Sequence, residues 1–350
     1  MPLRSLHLDA GRTWRGGQRQ VLLLTSSLRS RGHEPLIVGV SGSPLLERAQ
    51  AMGMATASAH MRADWDLRSA KRIRALVRIW RPDVVHAHDA RAHAIALIAL
   101  AGDTTPLVVT RRVTFPLKSA RVKYVPRVDR FIAVSHAVRG AMVRSGVAPS
   151  RIRVVHSGVP KPVVKTRRDW RSEFGWPADT VIVGMVGAMT AEKGIDQIAR
   201  VADCLPERVL ARTKIVLLGG DSTGPVALGR LHGFRAGFVS EIHDAMAGLD
   251  VLWHPASTEG LGTALIDALA LGVPPVAFDV GGIGEIIQSG VNGFTVPPGD
   301  VRAFAQAYVS MLDPEARERL ASAGPSRAAL FSVEQMADGT EQVYRELSTP

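Results

Sequence analysis

Apolar and polar positions alternate along the chain in two rhythms. Compact β-branched or aliphatic runs recur at 3–8, 35–40, 83–87, 106–110, 130–134 and 152–155, and between them, at 18–30, 67–80, 90–100 and 136–144, apolar residues return every third or fourth position. Beyond residue 180 the scheme repeats, with strands expected near 181–186, 214–218, 250–253 and 274–278 and helices near 195–205, 241–247, 263–271 and 301–312. Strands separated by helix-length segments predict parallel sheets crossed by helices. Residues 157–168 contain proline and lysine, lack apolar periodicity and read as a linker. The expectation is an α/β protein of two doubly wound, Rossmann-like domains facing a cleft. One spans 1–160, the other 169–330, and 331–350 forms a C-terminal helix packing back toward the first.

Length and composition agree with this division. A chain of 350 residues, 46% apolar, exceeds one ordinary core. No stretch approaches the ~18 uninterrupted apolar residues of a membrane span. Residues 1–10 alternate like a first strand and carry no leader pattern, so the expected location is the cytoplasm. The single cysteine, Cys204, sits beside Val201 and Leu205 on an amphipathic segment and reads as a packed, inert thiol.

Charge changes the picture more. Residues 1–165 hold 28 lysines and arginines against 9 acids, a balance of +19, whereas the remainder holds 15 against 23, a balance of −8. Such asymmetry points to an anionic partner of the first half, either nucleic acid or an anionic lipid surface at the inner face of the plasma membrane. Nucleic acid is not expected, because no aromatic stacking cluster accompanies the basic residues. The basic segment 67–81 reads as a helix covering a sheet with a solvated face, ahead of a dedicated membrane helix. Asp64 and Asp66 form a DxD string just before it, and the expected role there is an N-cap.

Candidate chemistry concentrates at 253–278, WHPASTEGLGTALIDALALGVPPVAF. A strand ends near His254, and a loop carrying Glu259 passes through Gly260, Leu261 and Gly262 into a helix at Thr263. Glycines at such a turn admit a ligand close to the backbone, and the helix start favours a phosphate or diphosphate. Asp267, one turn on, could accept hydrogen bonds from a diol. His86, His88 and His93 invite a metal reading, which is set aside because no fourth ligand has suitable spacing. No metal and no cofactor are expected.

These residues resemble the retaining glycosyltransferases of family 4, which have the GT-B fold. The family pattern places two glutamates with seven residues between them, followed by GGxxE and NGxLVPPGD. Glu259, GGIGE at 281–285 and NGFTVPPGD at 292–300 match it in order, with Asp267 at the second glutamate. RGGQRQVLLLTSSLRSRGHEPLIV at 15–38, PDVVHAHD at 82–89, FIAVSHAVRGAMVRSGV at 131–147 and VGAMTAEKGID at 186–196 extend the resemblance over nearly the whole chain. It implies a nucleotide-sugar donor, with Glu259 on hydroxyls of the transferred sugar, Asp267 on the ribose and Lys193 on the diphosphate. Gly16 and Gly17 would form a loop above the donor, and His88 would lie near the reacting sugar.

The resemblance also implies metal-independent transfer to a glycan or lipid-linked acceptor, as in bacterial envelope polysaccharide or lipopolysaccharide synthesis. Acceptor-side candidates are Arg111, Arg112, Lys118 and Arg121, with Lys123, Arg127 and Arg130 nearby. Three departures stand out. Ala188 replaces the arginine expected before Lys193, Ser157 stands where an asparagine is common, and the segment after Asp221 is too short for the usual helix. They keep open an epimerase or hydrolase on the same fold, or a catalytically silent sugar-nucleotide-binding protein.

Overall fold

A computed structural model describes residues 1–116 and 127–348. The chain forms two compact units, one made of Met1–Pro160 with the segment from Ser332 onward, the other of Lys161–Phe331. Each holds a seven-stranded sheet.

In the first unit the described strands run parallel, in the order β3-β2-β1-β4-β5-β6-β7. They are β1 (Arg4–Leu8), β2 (Glu34–Val40), β3 (Thr56–Ala59), β4 (Val84–Ala87), β5 (Leu107–Arg111), β6 (Arg130–Ala133) and β7 (Ile152–Val154). Strands buried on both faces explain the unbroken apolar runs. The Val333–Ser348 helix lays Val333, Met336, Ala337, Val343 and Tyr344 against Leu3, Leu24, Leu28, Val84 and Val108. The Leu67–Trp80 helix buries Ala70, Ile73 and Val77 but exposes Leu67 and Ile79. Asp66 caps it, accepting from the Ser69 N–H at 3.0 Å.

The second sheet runs β10-β11-β9-β8-β12-β13-β14. Its strands are β8 (Val181–Val186), β9 (Thr213–Leu218), β10 (Thr223–Leu228), β11 (Leu231–Gly237), β12 (Val251–His254), β13 (Pro275–Phe278) and β14 (Phe294–Val296). Only β10 is antiparallel. Parallel β9 and β11 are thus joined by a descending edge strand in place of a crossover helix.

The expected linker divides in two. Gln20 and Gly158 exchange hydrogen bonds at 2.8 and 3.0 Å, which ties the earlier part to the first unit. The later part docks on the Ile242–Ala247 helix, where Asp244 accepts from the N–H groups of Lys165 and Thr166 and buried Trp170 donates to the Ala245 carbonyl. Among the described residues no helix is long and apolar enough to cross a membrane.

Candidate functional site

Strand order reverses between β1 and β4 in the first unit and between β8 and β12 in the second. Open α/β sheets bind ligands outside the carboxyl ends of strands at such points. Most of the residues expected from the sequence to carry chemistry lie at these two places.

In the second unit, β8 leads through Gly187 into a short turn, Ala191–Lys193, and β12 leads through residues 255–262 into the Thr263–Ala270 helix. Two glycines, one in the first of these loops and one in the segment after β13, fix how the β12 loop is packed. Gly194 has φ +82°, and a Cβ there would lie 1.9 Å from the Pro255 carbonyl oxygen. At Gly281, φ +59°, a Cβ would lie 1.6 Å from the carbonyl oxygen of Glu259. No side chain fits either position. The Ser257 N–H donates to the Glu192 carbonyl at 3.0 Å, completing the tie.

Lys193 is thereby set against Glu259. Its Nζ donates to Glu259 Oε2 at 2.5 Å, and His254 Nε2 lies 3.2 Å from the same oxygen. The Gly260 N–H donates to Oε1 at 3.1 Å. A carboxylate only accepts, so His254 carries a hydrogen on Nε2. Burial alone would raise the Glu259 carboxyl, but the His254 hydrogen bond and the Lys193 charge together hold it at about 2.

Gly262, φ +98°, starts the Thr263–Ala270 helix with no side-chain cap on its first N–H groups. Gly260 and Leu261 are buried, and Thr263 is half-buried beside them. Asp267 is only 4% exposed and faces His243 Nε2 at 3.5 Å. His243 Nδ1 in turn accepts from the Val163 N–H at 3.3 Å. The 292–300 motif is structural in part. Buried Asn292 bonds the Gln288 N–H and the Ile286 carbonyl, and Asp300 caps the Val301–Ser310 helix.

The first unit's switch point is built mainly of buried histidines. His7 on β1 stands opposite His86 on β4. Arg112 Nη2 lies 3.2 Å from His88 Nδ1, His88 Nε2 lies 3.0 Å from His7 Nδ1, and His7 Nε2 lies 2.9 Å from Ser5 Oγ. Arginine can only donate, so neutral rings align in one direction from Arg112 to Ser5. His86 is held separately, by the Tyr344 hydroxyl at 2.5 Å and Thr110 Oγ1 at 2.6 Å. Burial lowers the pKa of His7 to about 3 and those of His86 and His88 well below the ordinary histidine value. Burial also raises Asp9, helped by Asp89 and opposed by Gln18, Gly11 and Arg112.

Several expected roles meet a different geometry here. Both ring nitrogens of His88 are engaged, so its access to a sugar requires an exchange of partners. Arg112 is tied to the His88 carbonyl and ring, Arg111 to the Phe115 carbonyl, and Arg127 to Asp129 and two carbonyls. Lys118, Arg121 and Lys123 lie outside the described residues. Gly16 and Gly17 are the first turn of the Gly16–Ser30 helix and not a loop, and a Cβ at either meets nothing within 4 Å.

The histidine grouping is corrected as well. His7 joins His86 and His88, with nitrogens within 4.8 Å of one another, whereas His93 packs edge-on to Phe131. A metal could use that spacing, but the hydrogen bonds above already occupy these nitrogens and Arg112 adds positive charge. His7, His243 and His254 escaped the sequence reading because their partners lie far along the chain or across a loop. The available signal was a histidine in or just beyond the end of a strand or helix at the reacting edge.

Known proteins match on the same terms. The family model "Glycosyltransferase Family 4" matches residues 14–161, and "Glycosyl transferases group 1" matches 166–327. D-inositol 3-phosphate glycosyltransferase of Streptomyces scabiei is 30% identical over 288 residues, covering 76% of this chain and 63% of the relative. Alpha-D-kanosaminyltransferase of Streptomyces kanamyceticus is 30% identical over 261 residues, covering 69% and 67%. The chain thus spans about two thirds or less of the length of these curated relatives. The solved structure of Anabaena HepE in complex with UDP-glucose superposes with a TM-score of 0.83 at 19% identity, covering 98% of this chain and 100% of that one. Two matched halves, two reversed strand orders and the ordered motifs make the chain a member of the family 4 glycosyltransferases, with the two-domain GT-B fold.

Proposed function

We propose that the chain transfers a sugar from a nucleotide diphosphate sugar, with retention at the anomeric carbon and without a metal ion, to a glycan or lipid-linked acceptor. The observation that carries the reading is the Lys193, Glu259 and His254 grouping beside the uncapped helix start at Gly262. A cation, helix-start N–H groups with no side-chain cap and an ionised acceptor in one place suit a diphosphate joined to a hydroxyl-rich ring.

In this reading Lys193 and the N–H groups from Gly262 neutralise the diphosphate, Glu259 accepts from sugar hydroxyls, and Asp267 accepts from the ribose. Within the first unit, a hydroxyl that displaces Arg112 would donate to His88 Nδ1. The bond between the anomeric carbon and the phosphate oxygen breaks, the acceptor oxygen bonds to that carbon on the same face, and its proton passes to the departing phosphate. Charge stabilisation and positioning supply the rate enhancement, with no resident cofactor.

The basic first half supports an acceptor at an anionic membrane face, in cytoplasmic synthesis of envelope polysaccharide or lipopolysaccharide. Ala188, exposed where the family has an arginine, favours one competitor, a donor-binding protein without turnover. Release of nucleoside diphosphate from UDP-glucose and GDP-mannose, with and without membrane lipid extract and with excess chelator, tests the proposal. Acceptor-dependent release that survives the chelator is the expected result. Release without acceptor marks a hydrolase, and loss that only a divalent ion restores rejects the metal-independent step.

A further inference from the structure

The Lys193 to Glu259 pair has a consequence for the bound state. Lys193 stands on a 3-10 turn and is a third exposed, and in the reading above its ammonium serves the donor diphosphate. Once it turns to that stronger anion, Glu259 loses its shortest contact. A largely buried carboxylate left this way would take up a proton or swing toward water. Either change removes an acceptor from the place where the sugar needs one.

His254 is placed to prevent this. It ends β12, where its position is set by backbone pairing of β12 with β13, His254 opposite Ala277. Its contact with Glu259 therefore does not depend on where the Lys193 side chain points. Its neighbours Leu252 and Trp253 are fully buried, and His254 itself is 4% exposed, an environment in which an apolar side chain would pack without needing a partner. The hydrogen that Nε2 carries points at the same Glu259 oxygen that Lys193 holds.

We propose that His254 is a positioning residue that keeps the Glu259 carboxylate aimed at the transferred sugar when Lys193 leaves it for the donor diphosphate. The proposal rests on the donor reading of Lys193 and Glu259. Its test separates the two. Crystal structures of Lys193→Ala and of Lys193→Ala with His254→Leu need no ligand. Glu259 stays in place in the single variant and turns away in the double one, and a carboxylate that turns away already in the single variant overturns the proposal.

Calorimetry with UDP-glucose against UDP, and GDP-mannose against GDP, then reads the effect on the sugar. His254→Leu lowers the preference for the sugar-bearing ligand at least tenfold while leaving nucleoside diphosphate affinity unchanged. His254→Gln, which retains an N–H donor of similar reach, restores most of it. Equal loss for both ligands, or no recovery with glutamine, contradicts a positioning role. If the wild-type chain shows no preference for the nucleotide sugars, the donor reading fails, and the two crystal structures still decide what His254 does.

Discussion

The two switch points of this molecule share a reversal of strand order and differ in the side chains placed on it. In the first unit, three buried histidines, a serine, a threonine and a tyrosine satisfy one another through neutral hydrogen bonds, with Arg112 closing the chain. In the second, an ammonium and a buried histidine converge on one ionised carboxylate beside an uncapped helix start. The first arrangement is costly to protonate and the second is costly to neutralise. Fold alone therefore does not assign chemistry to a strand end; the side chains on it do.

The sharpest way to break this contrast is through the glycines that assemble the second site. Gly194→Ala and Gly281→Ala each drive a Cβ into a backbone carbonyl, and both are expected to lose roughly 3–5 kcal/mol of stability in urea unfolding. Gly16→Ala and Gly17→Ala meet nothing within 4 Å and should stay within about 0.5 kcal/mol of the parent.

Acid should separate the units next. Unfolded histidines take up protons near 6.5, while folded His7 does so only near 3 and His86 and His88 well below the ordinary value. Below pH 6.5 the unfolded state then binds up to three more protons, so stability falls with pH, by roughly 4 kcal/mol per unit when all three count. Glu259 has the opposite kind of partner. Its contribution is full above about 4.5 and is lost only as pH falls toward 2. Hydrogen exchange at pH 5 should show the first sheet opening ahead of the second, and the reverse order would contradict the assignment.

Smaller effects refine each site. Asp267→Asn should cost about 1.5–3 kcal/mol of donor binding by calorimetry. Asp267→Glu should also weaken it, since a buried position facing His243 has little room for another methylene. Unchanged affinity in both would remove Asp267 from the site. Tyr344→Phe leaves His86 Nδ1 without its hydroxyl and should cost about 1–3 kcal/mol in thermal or urea unfolding, with no direct effect on donor affinity.

Much of this architecture was legible in the pattern of apolar residues. Runs such as 181–186 and 214–218 are fully packed strands, and their unbroken apolar character announces it. Edge elements gave no such signal. β3 reads TASA and β10 reads TGPVAL, both half-exposed and short, and the Pro44–Ala51 helix has only eight residues. Glu259 and Lys193 could be named from ordered motifs, but the internal ties of Arg112 and His88 could not. Those depend on β4 lying between β1 and β5, a long-range fact that local periodicity does not encode.

The central claim is that Lys193 and Glu259 divide the donor between them, one taking the diphosphate and the other the sugar. Titration of Glu259→Gln and Lys193→Ala with UDP-glucose and UDP tests it most directly. The account predicts that Glu259→Gln loses affinity for the nucleotide sugar while nearly retaining that for the nucleoside diphosphate, whereas Lys193→Ala weakens both. Equal loss of nucleoside diphosphate affinity in the two variants would contradict it.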